Sequence, residues 1–388
     1  MTTVPRTVPR TSARISAGTT AYAFAYFTET PSQSGANYGL HLAVSRDGLH
    51  WSPLNQNQPV TTPTAGQRGL RDPYIHRRQD GTFVVAATDL KGLGTGPGSQ
   101  YLHIWDSTDL ASFTGYRHVR MHTMNTHIWS PAIFWDAGRR EYGIAYSSAN
   151  GTRDVLMVNY TTDFRTVSAP QVYFDPGSPL LDAGARRPGA GAFSPAGHGF
   201  DAWAPGDVGG GAWMPRNQRD HTPPLNAKAG STVGITDAEY HAMVSRWGLP
   251  DWTRLKSWNH PDRFVRHYNG SIRLDTHPFD PHQDQLWRAV TGLAGSGVSF
   301  ESVNRPGHYL RHSGTQIRLD PVDGTAGFRA DATFLRGAGL ADPGWTSLRS
   351  YNMPTHHLRH SGYVLRLDPV GAASSTTDRQ DATFRFVS

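Results

Sequence analysis

The sequence predicts an all-β protein with two domains. Glycine (41) and proline (27) are abundant among the 388 residues, which favours many turns between short strands. Short alternating runs of apolar and polar residues recur along the chain, whereas helical periodicity is sustained only near 236–247. One pattern near the C-terminal end also occurs three times, so a repeated module follows the first domain.

The repeat divides into short strands and turns. It starts at Ser257 as SWNHPDRFVRHYNGSIRLD, at Ser302 as SVNRPGHYLRHSGTQIRLD and at Ser350 as SYNMPTHHLRHSGYVLRLD, with starts 45 and 48 residues apart. Asn-x-Pro, His-Ser-Gly and Asp-Pro turns separate the alternating runs. Three such units can close on a threefold axis, which removes exposed sheet edges and predicts a β-trefoil over 251–388.

Each unit repeats a His that follows an Arg, and an Asp that comes 17 to 21 residues later. The pairs are His267 with Asp284, His312 with Asp331, and His360 with Asp381. They have two readings: they stabilise turns in each unit, or they line shallow pockets for a neutral sugar. His and Asp would supply directional donors and acceptors for sugar hydroxyls, and Tyr309 or Tyr363 an aromatic floor.

The repeats resemble the arabinofuranose-binding β-trefoil at the C-terminus of fungal and actinobacterial α-L-arabinofuranosidases, carbohydrate-binding module family 42. The matching text includes ESVNRPGHYLRH, DATF and GLADPGWTSLRSYN, and it covers 255–388. The resemblance implies that His312, Asp331, His360 and Asp381 contact arabinofuranose side chains. The first unit has QDQLW where the others have DATF, so its pair, His267 and Asp284, is the weaker match.

The N-terminal part reads as propeller blades. YGLHLAVSRDGLHWSPL and YLHIWDSTDLASF share an alternating strand, a Ser-x-Asp turn and a following aromatic residue. GLRDPYIHRRQDGTFVVAATDL and HIWSPAIFWD resemble the five-bladed propeller of family 43 glycoside hydrolases, which act on arabinose- and xylose-containing polysaccharides. That resemblance covers 21–182 and returns at STVGITDAEYHAMVSRWG, between 231 and 248, before the trefoil.

The family resemblance implies inverting hydrolysis by three carboxylates: an Asp base, an Asp that modulates pKa values, and a Glu acid. By matching position, Asp72 in LRDPYI is the general base and Asp182 in SPLLDA the modulator. Asp72 has a second reading as a turn cap before Pro73. No general acid is found, because no Glu lies between 142 and 238, and Ala132 stands where the family often has an acidic residue.

The segment 183–231 interrupts the match. Of its 49 residues, 26 are Gly, Ala or Pro, and no alternation survives, so we expect an irregular segment and an incomplete propeller. A frameshift with a deletion would explain this composition. The predicted organisation is a disordered N-terminus and a propeller, then the irregular segment, the propeller end with a short helix, and the trefoil. In residue numbers these parts are 1–20, 21–182, 183–231, 232–250 and 251–388.

The amino-acid composition limits the kinds of metal site, cofactor and binding partner that we expect. The absence of Cys excludes disulfides and thiolate metal sites, and no metal or cofactor is predicted. The net charge of +6 is spread over scattered arginines, which indicates a solvated basic surface rather than a nucleic-acid site. No stretch approaches transmembrane length, and 1–20 lacks an apolar run of signal-peptide length.

Three functions remain open from sequence. The first is an α-L-arabinofuranosidase-type hydrolase acting on arabinan or arabinoxylan, which the resemblance implies to be extracellular and which we expect to be monomeric. The second is a catalytically impaired protein that keeps only carbohydrate binding. The third, a basic lectin-like module of unrelated specificity, fits the repeats but not the RDP and WSP motifs.

Overall fold

The computed structural model describes residues 18–30, 35–92, 99–175, 177–178, 192–196, 199–205, 213–276 and 279–388. Within these ranges the chain forms 27 β-strands and three α-helices of 6 to 11 residues, so the all-β prediction is confirmed. In this part of the chain no helix has both the length and the apolar composition needed to cross a membrane.

Three antiparallel four-stranded sheets make up most of the N-terminal part. The first sheet contains β1 (Ala21–Thr28), β2 (His41–Ser45), β3 (Ser52–Pro53) and a strand from much later in the chain. The second contains β4 (Leu70–Arg77), β5 (Phe83–Asp89), β6 (Tyr101–Ser107) and β7 (Thr114–Arg120). The third contains β8 (Trp129–Asp136), β9 (Glu141–Ala149), β10 (Asp154–Thr161) and β11 (Gln171–Phe174).

A smaller sheet and a returning strand follow. The three-stranded sheet consists of β12 (Ala192–Ala196), β13 (Gly199–Pro205) and β14 (Trp213–Pro215). The next strand, β15 (Ala227–Ile235), pairs antiparallel with β1 and completes the first sheet. A Cβ at Gly230 would lie 1.9 Å from the carbonyl oxygen of Ala25, so only glycine permits this approach.

Within 183–231, where an irregular segment is expected, the structure describes 192–196, 199–205 and 213–231, and the rest lies outside the described residues. Strands β12, β13 and β14 and the start of β15 lie within this segment. Strand pairing uses backbone N–H and C=O groups, so a segment with few large apolar side chains can still join a sheet. Leu225 is also buried, with Trp252 and Leu286, and its carbonyl accepts a 3.1 Å hydrogen bond from Asn57 Nδ2.

The helix expected near 236–247 is present as α1 (Asp237–Trp247). It begins with a capping box, in which Thr236 and Glu239 satisfy each other's backbone N–H groups. Its buried Met243 joins the apolar core shared by the first two sheets, with Phe27 and Val85. The short helix is therefore held by packing as well as by its cap.

The C-terminal part forms one extended sheet of twelve strands. They are β16 (Arg254–Ser257), β17 (Arg263–Tyr268), β18 (Ser271–Thr276), β19 (Trp287–Thr291), β20 (Val298–Ser302), β21 (His308–Ser313), β22 (Gln316–Pro321), β23 (Phe334–Ala338), β24 (Thr346–Ser350), β25 (His356–Ser361), β26 (Val364–Pro369) and β27 (Phe384–Val387). Two short helices, α2 (Ala326–Asp331) and α3 (Thr376–Asp381), precede the DATF strands.

The three sequence repeats share one apolar core. Each supplies a hairpin, β17–β18, β21–β22 or β25–β26, with the same antiparallel register. The equivalent residues Val265, Leu310 and Leu358 are fully buried in the same cluster. Strand β16 pairs with β27, so the beginning of the first unit is joined to the end of the third.

Candidate functional site

The predicted His and Asp of the second unit meet through an Asn of the third. His312 Nε2 donates to Asn352 Oδ1 at 2.8 Å, and Asn352 Nδ2 donates to Asp331 Oδ1 at 2.7 Å. Arg311 Nη1 contacts the other carboxylate oxygen of Asp331 at 3.3 Å. The result is an Arg–His–Asp cluster linked by an Asn from the neighbouring unit, which we call the second cluster.

The same arrangement occurs in the other two units. In the first cluster, His267 contacts Asn304 at 2.9 Å, and Asn304 donates to Asp284 at 2.8 Å. In the third cluster, His360 contacts Asn259 at 3.0 Å, and Asn259 donates to Asp381 at 2.7 Å. Because Asn259 belongs to the first unit, the three clusters form a closed ring.

The Asn residues of these clusters were missed as functional candidates. Asn259, Asn304 and Asn352 each start an Asn-x-Pro motif that the sequence analysis used only as a turn signal. Their recurrence at one position of the repeat was the available signal. The hydrogen bond from each Asn to an Asp joins two different units, so local sequence patterns do not reveal it.

Burial determines the charge state of two of the three histidines. The rings of His267, His312 and His360 are all buried. Burial lowers the pKa of His360 to about 4, although the Asp381 carboxylate acts in the opposite direction. Burial likewise lowers the pKa of His267. At neutral pH these two imidazoles are therefore uncharged and act as directional hydrogen-bonding groups.

The third cluster opens onto a cavity of about 440 Å³. His360, Asp381 and Tyr363 all line it, so the structure brings together the three residues predicted for this unit. The Tyr363 ring lies nearly parallel to the His360 ring, with centroids 6.3 Å apart, and His260 meets both edge-on. The cavity thus combines a polar cluster with an aromatic wall.

Aromatic walls differ between the units. The position of Tyr363 is Thr315 in the second unit and Gly270 in the first. Tyr309 does not replace it, because it precedes His312 by three residues on β21 and so faces the other side of the strand. The first unit has a 3₁₀ turn, His282–Gln285, where the others have α2 and α3, and this turn carries Asp284.

Asp72 lies at a distorted point of β4. The register between β4 and β5 shifts between Arg71 and Tyr74, and Asp72 has a φ of 49° directly before Pro73. This is an unfavoured conformation for a residue before proline, and strained positions of this kind concentrate at functional sites. Ser130 of the WSP motif has the same geometry, with φ 51° and a shifted register on β8.

The other predicted catalytic position, Asp182, lies outside the described residues. Among the four glutamates, Glu239 is paired with Arg77 at 2.7 Å and Glu301 accepts from Gly307 N–H. Glu29 lies beside the residue before Asp72: its carboxylate is 3.7 Å from Arg71 Nη2 and 3.3 Å from Lys228 Nζ. Glu29 is therefore a carboxylate at the same end of the sheets as Asp72, and sequence reasoning did not single it out.

A buried Asp–His–His cluster lies in the second sheet. Asp89 is 3.0 Å from His103 Nε2 and 2.9 Å from His118 Nε2, and one ligand atom from each lies within 4.8 Å of the others. Burial disfavours the charged carboxylate, but hydrogen bonds from His103, Ser99 and the Gln67 N–H lower the pKa of Asp89 to about 2. These residue types can hold a metal ion, yet the hydrogen bonds alone account for the cluster.

Two family models match separate parts of the chain. The "Probable glycosyl hydrolase domain" of the family 43-related group matches residues 18–189. The "Alpha-L-arabinofuranosidase B (ABFB) domain" matches 218–279 and 275–386. The first match contains Asp72 and the second contains all three clusters.

Curated relatives match only in part. An "Alpha-L-arabinofuranosidase" of Bifidobacterium longum subsp. longum is 28% identical over 198 residues, 43% of this chain and 18% of that protein. An "Extracellular exo-alpha-(1->5)-L-arabinofuranosidase" of Streptomyces avermitilis is 45% identical over 90 residues, 23% of this chain and 18% of that protein. "Alpha-L-arabinofuranosidase B" of Aspergillus kawachii is 37% identical over 101 residues, 25% of this chain and 20% of that protein.

The matched regions span no more than 20% of the length of these relatives. A solved "GH54 a-l-arabinofuranosidase soaked with cyclic sulfate inhibitor" aligns with 95% of this chain and 68% of its own, at 15% identity and a TM-score of 0.32. At the level of domains, residues 18–189 match the family 43-related probable glycosyl hydrolase domain, and residues 218–279 and 275–386 match the alpha-L-arabinofuranosidase B domain.

Proposed function

We propose that this protein is of the α-L-arabinofuranosidase type and binds arabinofuranosyl side chains of hemicellulose, arabinan or arabinoxylan, through its C-terminal clusters. The observation that carries the proposal is the third cluster, where His360, Asp381 and Tyr363 line one cavity. A neutral sugar offers hydroxyl groups and an apolar ring face. The cavity supplies hydrogen-bonding groups for the first and an aromatic surface for the second.

The clusters have a structural role beside this binding role. Each His and Asp is engaged with an Asn of the next unit, so the groups are fixed before a ligand arrives. Fixed groups lose little conformational entropy on binding, which favours affinity for a small ligand. The turn-stabilising reading and the sugar-binding reading therefore apply to the same residues. The second and third clusters are the main proposed sites, and the first is the weaker one.

The architecture that we propose is an incomplete five-bladed propeller followed by a β-trefoil over 251–388. The three four-stranded antiparallel sheets, with β15 returning to β1, support the propeller. The three hairpins around one core support the trefoil. We further propose an extracellular monomer whose partner is arabinose-decorated polysaccharide rather than nucleic acid or membrane.

A second candidate function is hydrolysis. The strained Asp72 supports a role as general base, with Asp182 as the proposed modulator. A glycosidic oxygen needs a proton as it leaves, and general acid catalysis typically contributes about 10²–10⁴-fold. Since no Glu lies between 142 and 238, we infer that hydrolysis is weak and that binding is the dominant property of this chain.

The experiment pairs a binding assay with a turnover assay on the full chain. We expect retention on insoluble arabinoxylan and no retention on mannan or chitin. Equal retention on all three would favour the lectin-like module of unrelated specificity and refute arabinofuranosyl binding. Turnover of p-nitrophenyl α-L-arabinofuranoside, compared between the parent and Asp72→Asn, tests the second function separately.

A further inference from the structure

A second cavity in the C-terminal part lies outside the clusters. It has a volume of about 500 Å³ and is lined by residues 293–295, by α2 residues that include Arg329 and Ala330, and by Tyr351. We call it the Tyr351 groove. It is the larger of the two cavities described here, and the proposed arabinofuranosyl-binding residues do not line it.

The groove adjoins the second cluster. Tyr351 directly precedes Asn352, and Ala330 directly precedes Asp331. The 2.7 Å hydrogen bond from Asn352 to Asp331 therefore joins the two walls of the groove at its border with the cluster. A ligand that fills the second cluster would place whatever is attached to it within reach of the groove.

The groove presents chemistry suited to a neutral sugar ring. Tyr351 is 41% exposed, although a large aromatic side chain is normally well covered. Arg329 donates through Nη1 to the Gly324 carbonyl at 2.8 Å, and in the described part of the chain no carboxylate pairs with it. An aromatic face beside guanidinium donors can contact the face of a pyranose ring and its hydroxyls.

The equivalent positions of the other units carry less exposed side chains. The position of Tyr351, directly after β24, is occupied by Val303 in the second unit and by Trp258 in the first. Trp258 is covered by Arg219, whose guanidinium carbon lies 4.3 Å from the ring. Val303 is half-buried and is not aromatic. Among the three equivalent positions, only Tyr351 is an exposed aromatic residue.

We infer that the Tyr351 groove binds a main-chain sugar of a polysaccharide whose arabinofuranosyl side chain occupies the second cluster. This inference rests on the proposed binding function and extends it from the side chain to the main chain. Its consequence is a preference for a decorated polymer over a free arabinofuranoside. If only the second cluster contacted the ligand, a single site would bind the decorated polymer and the free arabinofuranoside equally well.

The test uses the full chain carrying Asp381→Ala and Tyr363→Gly, which remove the carboxylate and the aromatic wall of the third cluster so that the second cluster is measured. Glycine already occupies the equivalent position 270, and position 363 has a φ of 65° that glycine adopts freely. Tyr351→Ala is then added. The matched control is Phe174→Ala, because Phe174 is a 47% exposed aromatic residue on β11.

Calorimetry with soluble arabinoxylan and with methyl α-L-arabinofuranoside separates the outcomes. We expect Tyr351→Ala to weaken arabinoxylan binding by about threefold to tenfold, the loss of one aromatic contact, and to leave methyl arabinofuranoside binding unchanged. Phe174→Ala should change neither. Unchanged arabinoxylan affinity, or equal weakening for both ligands, would overturn the inference. If the parent protein binds neither ligand, the proposed function itself fails.

Discussion

Asn259 and Asp381 are 122 residues apart, yet a 2.7 Å hydrogen bond joins Asn259 Nδ2 to Asp381 Oδ1. This contact connects the first unit to the third. The equivalent bonds from Asn304 and Asn352 connect the first unit to the second and the second to the third. The residues proposed to bind sugar therefore also close the C-terminal part on itself.

We predict that Asn259→Ala destabilises the protein, because it removes the donor to Asp381 and the acceptor for His360 together. Leaving a largely buried carboxylate and imidazole without these partners should cost about 1–3 kcal/mol of unfolding free energy. Chemical denaturation followed by circular dichroism measures it. Asn352→Ala is the matched variant, since it removes the equivalent contacts to His312 and Asp331 in the second cluster. If neither variant changes the unfolding free energy, the ring of clusters is not a stabilising feature.

The hairpins and the core of the repeats could be predicted from the sequence, because alternation and turn residues are local signals. The alternation that places Val265, Leu310 and Leu358 in one core is visible in each copy. The role of Asn259 is not local, since it depends on which unit lies beside which. For the same reason, the Asp89–His103–His118 cluster, which three neighbouring strands bring together, was not anticipated.

The Gly- and Ala-rich stretch around 227–231 shows a different limit. Small residues suggested a segment that cannot bury apolar surface, whereas in β15 they allow close backbone approach to β1. Composition alone does not distinguish a loose segment from a tightly packed strand of small residues. Asp72 illustrates the opposite case: its motif was recognised from the sequence, but the strained φ was visible only in the structure.

We predict that the unfolding free energy falls as the pH is lowered from about 6.5 to about 4, in part through His360. Its folded pKa of about 4 lies below the unfolded value of 6.5, so the unfolded state binds the proton first and acid favours unfolding. Burial also lowers the pKa of His41 to about 4, so the test compares the pH dependence of a variant with that of the parent protein. His360→Gln should flatten the pH dependence by up to about 1.4 kcal/mol per pH unit. A variant as steep as the parent protein would contradict the assignment.

Residues 251–388 should fold when expressed alone, because all three units and their shared core are retained. A longer chain, 218–388, should be more stable. This longer chain retains the hydrogen bonds that the buried Lys256 Nζ donates to the carbonyl of His221, at 2.8 Å, and to the carbonyl of Gln218. The expected difference is about 1–3 kcal/mol and should shrink in Lys256→Ala. Thermal unfolding checks both, and a broad, non-cooperative transition for 251–388 would refute independent folding.

Hydrolysis of an aryl arabinofuranoside should be poor or undetectable. Asp72 can activate water, but no Glu between 142 and 238 supplies the proton to the leaving oxygen. Steady-state release of p-nitrophenol measures the rate. Robust turnover abolished by Asp72→Asn would show that another carboxylate acts as the acid. Glu29→Gln would then be the first variant to examine, since Glu29 lies beside Arg71.

The most direct measurement of the central claim is titration of the full chain with arabinoxylan, before and after removal of the cluster carboxylates. Asp331→Ala and Asp381→Ala each remove an acceptor for sugar hydroxyls, and each should weaken binding at its own cluster by about 1–3 kcal/mol. The double variant should lose most of the arabinoxylan affinity. Circular dichroism of each variant confirms that the fold is retained. If the folded double variant binds arabinoxylan as tightly as the parent protein, the clusters are not the arabinofuranosyl sites and the account is contradicted.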